Sequence, residues 1–96
     1  MKWRDSMKVV YVLDGQVYHE NKAGFKEILN KHKVRWAGRY GVFKWKGGQI
    51  EVVASYEGEE GVIKSAKIEL RFSYENKAVT ELVEWLERHG KLLVSE

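Results

Sequence analysis

The chain has 96 residues, 44% of them hydrophobic and 32% charged, with a net charge of +3, the balance of one folded domain rather than a disordered segment. It contains no cysteine, which excludes a disulfide framework, thiol catalysis and cysteine-ligated zinc together. No window reaches the apolar length of a membrane span, and the polar start Met1-Lys2-Trp3-Arg4-Asp5 has no signal-peptide core behind it.

The expectation is therefore one cytoplasmic domain over residues 1–96, loose over residues 1–6. Glu outnumbers Asp 12 to 2 and Lys outnumbers Arg 12 to 5, an enrichment seen in hyperthermophile proteins. The absence of proline runs against that reading, since loop prolines are a usual stabilising device. Residues 1–50 carry +7 and residues 51–96 carry −4. Such a split points to a polyanion-binding face or to self-association through opposite patches.

In chain order, Met7 to Leu13 (MKVVYVL) reads as a strand from its β-branched and aromatic content. Asp14-Gly15 favours a type I′ hairpin turn, returning through Gln16 to His19, with a plain strand-to-helix connection as the competing reading. Asn21 is a suitable N-cap for a helix from Lys22 to Lys31, with Phe25, Ile28, Leu29 and His32 forming one stripe. From Val34 the chain is extended, with a kink or bulge expected at Ala37-Gly38.

A Gly47-Gly48 turn would set Trp45 opposite Ile50, Lys44 opposite Glu51 and Phe43 opposite Val52. Phe43, Trp45, Ile50, Val52 and Ala54 then share the core face. A three-residue loop Glu59-Glu60-Gly61 would pair Ala54 with Ala66 and Val52 with Ile68, and set Glu51 against Glu69. Asn76 caps a second helix, Lys77 to His89, with stripe residues Val79, Leu82, Val83 and Leu86, Trp85 at the stripe's edge, and Gly90 at its end. Lys91 to Ser95 closes as a short strand. The fold class is α+β: a single, mainly antiparallel sheet built from an N-terminal hairpin, a three-stranded meander and a final strand, with two helices on one face.

Function concentrates in Lys31 to Gln49, KHKVRWAGRYGVFKWKGGQ. Cations and rings alternate there, a composition suited to phosphates and stacked bases. With Phe43 and Trp45 assigned to the core, the candidate nucleic-acid-binding residues are Lys31, Lys33, Arg35, Trp36, Arg39, Tyr40, Lys44 and Lys46; Tyr40 and Lys44 are expected on the sheet face away from the helices, and Lys31 and Lys33 add charge at the helix exit. The competing reading makes Trp36 core and the lysines an edge-strand defence.

Asn21 to Gly90 reads helix, three strands, helix, and in that order the chain resembles the double-stranded-RNA-binding domain and small toxins built like it. In that domain the second helix opens on a lysine cluster that meets phosphates. The matching stretch here, Tyr74-Glu75-Asn76-Lys77-Ala78, carries one lysine.

No catalytic, metal or cofactor signature stands out. The adjacent His19-Glu20 is the one pair suited to acid–base work, as in a metal-independent nuclease. The glycine pairs join strand to strand, not strand to helix as a phosphate loop needs. The expected role is non-sequence-specific nucleic-acid binding by a homo-oligomer. The alternative is a homo-oligomeric interaction module without catalysis, pairing through sheet edges.

Overall fold

The computed structural model describes residues 7–39 and 43–96. The elements run β1 (Met7–Asp14), α1 (Gly15–Lys31), β2 (Arg35–Arg39), β3 (Phe43–Gly47), β4 (Ile50–Glu59), β5 (Val62–Phe72), α2 (Lys77–His89) and β6 (Lys91–Ser95). Among the described residues the six strands form one antiparallel sheet in the order β2-β3-β4-β5-β1-β6. Both helices pack on one face of it, giving the expected α+β architecture. Among the described residues no helix is long and apolar enough to cross a membrane.

The N-terminal hairpin is not formed. Helix α1 starts at Gly15, directly after β1, because the Asp14 carboxylate caps it, accepting from the backbone N–H of Gln16 (3.0 Å) and Val17 (3.4 Å). Gly15 is required by packing: a Cβ there would lie 1.9 Å from the Ile63 carbonyl oxygen. Asn21 is consequently inside the helix, where its amide donates to the Val17 carbonyl (2.8 Å). The helix ends in a Schellman motif, with Lys33 N–H on Asn30 O and Val34 N–H on Leu29 O. Lys33 occupies the left-handed position usually taken by glycine, at φ 59°.

Helix α2 spans Lys77–His89, as its pattern predicts, with the Asn76 side chain accepting from Val79 N–H at 2.9 Å. Trp85 is not at the stripe's edge: it is buried in the core, its ring 4.8 Å from that of Phe25. The helices also meet at Glu81, which holds Lys31 Nζ (3.0 Å) and His32 Nε2 (3.1 Å). These contacts pull the carboxyl of Glu81 below its ordinary range, the hydrogen bond from Lys31 contributing most.

Both hairpin registers differ from expectation by two residues. The turn of the first is Gly48-Gln49, so that Gly47 faces Ile50, Trp45 faces Val52 and Phe43 faces Ala54. The turn of the second is Glu60-Gly61, both with positive φ, the geometry of a type I′ turn. Tyr56 then faces Ala66, Ala54 faces Ile68 and Val52 faces Leu70. Between Phe43 and Glu57, and from Ser65 to Phe72, a shift of two leaves the side chains on their expected faces, and it relieves the like-charge clash: Glu51 lies opposite Arg71. Lys44 reaches Glu51 diagonally (3.4 Å) rather than directly across.

Among the described residues four strands, not three, separate the helices, and β1 and β6 extend the sheet beyond them. This departs from the element order of the double-stranded-RNA-binding domain.

Candidate functional site

Two bulges decide which side chains meet at the β2 end of the sheet. In β2, Trp36 pairs with Trp45 and Gly38 with Lys44, so Ala37 is the extra residue, at the expected Ala37-Gly38 break. Opposed residues share a face. Trp36 is therefore on the helix side with Trp45, while Arg35, opposite Lys46, is on the uncovered side. In β5, Gly58 pairs with Ile63 and Glu57 with Ser65, leaving Lys64 as the extra residue and turning Ile63 toward the helix side.

The result is a cleft of about 350 Å³ between α1 and the β2–β4 end of the sheet, lined by Tyr18, Lys22, Lys26, Trp36, Phe43, Trp45, Tyr56 and Ile63. This is at the small end of the ~300–1,000 Å³ range of ligand sites. Its rings form a continuous chain. Trp36 contacts Phe43 at 5.6 Å and Trp45 at 5.5 Å, Phe43 contacts Tyr56 at 5.0 Å, and Tyr56 contacts Tyr18 at 5.4 Å. Edge and tilted contacts of this kind suit the ring quadrupoles.

Trp45 is buried, yet Trp36 is 55% exposed although two rings hold it from beneath. The Tyr18 and Tyr56 hydroxyls lie 2.8 Å apart. Burial, the main cause, pushes both phenols upward, so they are protonated at neutral pH.

The lysines follow from helix geometry. Tyr18, Lys22 and Lys26 are spaced by four and line one side of α1. All three, with Tyr56, are functional candidates that sequence reasoning missed. The four-residue spacing was visible, but starting the helix at Lys22 put Tyr18 in a strand and broke the line.

The proposed binding residues divide. Trp36 is in the cleft. Arg35, Lys44 and Lys46 are on the opposite, uncovered face, where Arg35, Lys46, Glu51, Arg71 and Lys8 are successive cross-strand partners from β2 to β1. This row of four cations and one carboxylate crosses roughly 19 Å at ~4.8 Å per strand. Among the described residues no aromatic side chain lies on that row, so the rings and most strand cations expected on one face occupy two.

Lys31 is held by Glu81, and Lys33 projects from the helix exit. Arg39 is opposite Phe43 in the backbone register. Tyr40, expected on the uncovered face, lies outside the described residues, as do residues 1–6.

His19 and Glu20 are both exposed on α1, and Glu20 accepts from the Gln16 amide (3.1 Å). Among the described residues no three His, Asp or Glu side chains are placed to hold a metal ion.

Compared with known protein families, with curated proteins and with solved structures, the chain finds no match in any of the three.

Proposed function

We propose that this protein binds single-stranded nucleic acid without sequence specificity, along the α1/β2 edge, as a cytoplasmic binding protein. The observation that carries this reading is Trp36: a ring more than half exposed, braced by Phe43 and Trp45, and flanked by Lys22 and Lys26. A braced ring offers a stacking face whose ordering cost is already met, and stacking contributes about 1–3 kcal/mol per base. The lysines on the rim supply phosphate neutralisation. Beyond the β2 edge, Arg35 and Lys46 continue the cationic track onto the other face, with Lys33 at the helix exit.

Fluorescence anisotropy with labelled single- and double-stranded DNA and RNA, at low and moderate salt, tests this. Single strands should bind, more weakly as salt rises. Trp36→Ala should lower affinity by about tenfold. Arg35→Ala with Lys46→Ala should flatten the salt dependence by about two counterions. No binding of any of the four at low salt removes the proposal.

A second reading, self-association, is favoured by β6. Its Leu92 and Leu93 are 51% and 57% exposed on an edge strand. Two copies related by a two-fold axis at Leu93 would set Leu92 against Val94 and bring Lys91 next to Glu96. Leu92→Glu with Leu93→Glu should convert a dimer to monomer in analytical ultracentrifugation. A monomeric wild type ends this reading.

A further inference from the structure

The lining of the cleft has a chemistry that stacking alone does not use. Tyr18 and Tyr56 present two hydroxyls 2.8 Å apart, on rings that both line the cavity. In such a pair one O–H is spent on the other oxygen, leaving one O–H to donate and one oxygen with lone pairs to accept. Among the described residues, neither hydroxyl has a protein partner other than its mate. Hydroxyl protons rotate, so the direction of the pair can reverse. The pair is thus an adjacent donor and acceptor whose order is interchangeable.

An adjacent donor and acceptor is what the Watson–Crick edge of every nucleobase offers. Uracil, thymine and guanine place a ring N–H beside a keto oxygen, while adenine and cytosine place an amino group beside a ring nitrogen. A fixed amide or carboxylate would select among these, whereas a reversible hydroxyl pair accepts all of them. In a duplex the same edge is consumed by pairing, so only an unpaired base can present it.

We propose that the cleft seats one unstacked base of a single strand, with its face against Trp36, its Watson–Crick edge on the Tyr18–Tyr56 hydroxyl pair, and its flanking phosphates on Lys22 and Lys26. The inference rests on the nucleic-acid reading above and deepens it. It accounts for two hydroxyls on tyrosines that line an aromatic cleft, and it assigns single-strand preference and base tolerance to the same pair of atoms.

The test uses the wild-type protein with three labelled tetranucleotides of equal charge: oligothymidylate, its N3-methylated form, and an abasic backbone. Methylation blocks the Watson–Crick edge and keeps the ring. Oligothymidylate should bind about tenfold or more tighter than the abasic backbone, with the methylated form in between. Tyr18→Phe with Tyr56→Phe keeps both rings and should make the methylated and unmethylated strands equivalent, with backbone affinity unchanged. Oligothymidylate, oligoadenylate and oligocytidylate should bind wild type within a few-fold of one another.

Equal wild-type affinity for methylated and unmethylated strands overturns the base seat and leaves the nucleic-acid reading standing. Binding of none of the strands overturns both.

Discussion

Gly47, the last residue of β3, lies directly against the carbonyl of Lys33, two residues past the end of α1: a Cβ on Gly47 would be 2.3 Å from that oxygen. The first hairpin is thus anchored against the helix exit, and the cleft walls are fixed relative to each other by a backbone contact that only glycine permits. Gly47→Ala should destabilise the fold by roughly 2–3 kcal/mol, since backbone, not a flexible side chain, must yield. Lys33, at φ 59°, should behave oppositely. Lys33→Gly should raise stability by about 0.5–1 kcal/mol while weakening nucleic-acid binding through the lost charge. Urea titration reads the first effect and anisotropy the second; a destabilised Lys33→Gly would contradict the left-handed exit.

Gly24 sits mid-helix and exposed, and an added Cβ would meet only the Trp85 indole at 3.5 Å, ordinary contact. Gly24→Ala should therefore gain most of the helix-propensity difference, about 1 kcal/mol. Chemical denaturation measures it. A loss instead would mean that Trp85 has no room to accept the methyl.

Glu51 reports the register. Its cross-strand partners are Lys46 and Arg71, and Lys44 lies at 3.4 Å. Glu51→Lys should cost about 0.5–1 kcal/mol by placing like charges together. Were Glu51 opposite Lys44 and Glu69 instead, the gain against Glu69 and the loss against Lys44 would nearly cancel. An unchanged denaturation midpoint would therefore contradict the observed register.

Tyr11 donates a hydrogen bond to Glu87. Burial, then this bond and the charge of Glu87, pushes its phenol up from 10 to about 12. The folded state holds the proton more tightly than the unfolded chain. Its contribution is therefore complete below about pH 10 and is lost as pH rises from 10 toward 12. Tyr18 and Tyr56 shift the same way. Across that window Tyr11→Phe should show a shallower fall in melting temperature by circular dichroism than wild type. Identical slopes would assign alkaline unfolding to other groups.

Much of the fold was legible because side-chain period decides face. Asn76 and Gly90 bound α2, the alternation from Phe43 to Phe72 separates core from surface, and Gly38 marks its bulge. The first helix was misread because Asp14-Gly15 serves a hairpin turn and a helix start equally well. What separates them is the distant Ile63 carbonyl, against which Gly15 packs. The candidate site was legible only in part: Trp36 and the strand cations stood out, but Tyr18 and Tyr56 are 38 residues apart, and no local pattern joins them.

By itself, then, the sequence determined which strand residues from Phe43 to Phe72 face the core, where α2 and most strands run, and that cations concentrate in the first half, because these depend on local periodicity and composition. Register, the side of the sheet on which Trp36 falls, and the meeting of the tyrosine hydroxyls were decided by tertiary structure. Alternation is unchanged by a slip of two residues, whereas one bulged residue reverses it, and both are set by backbone contacts between elements remote in the chain.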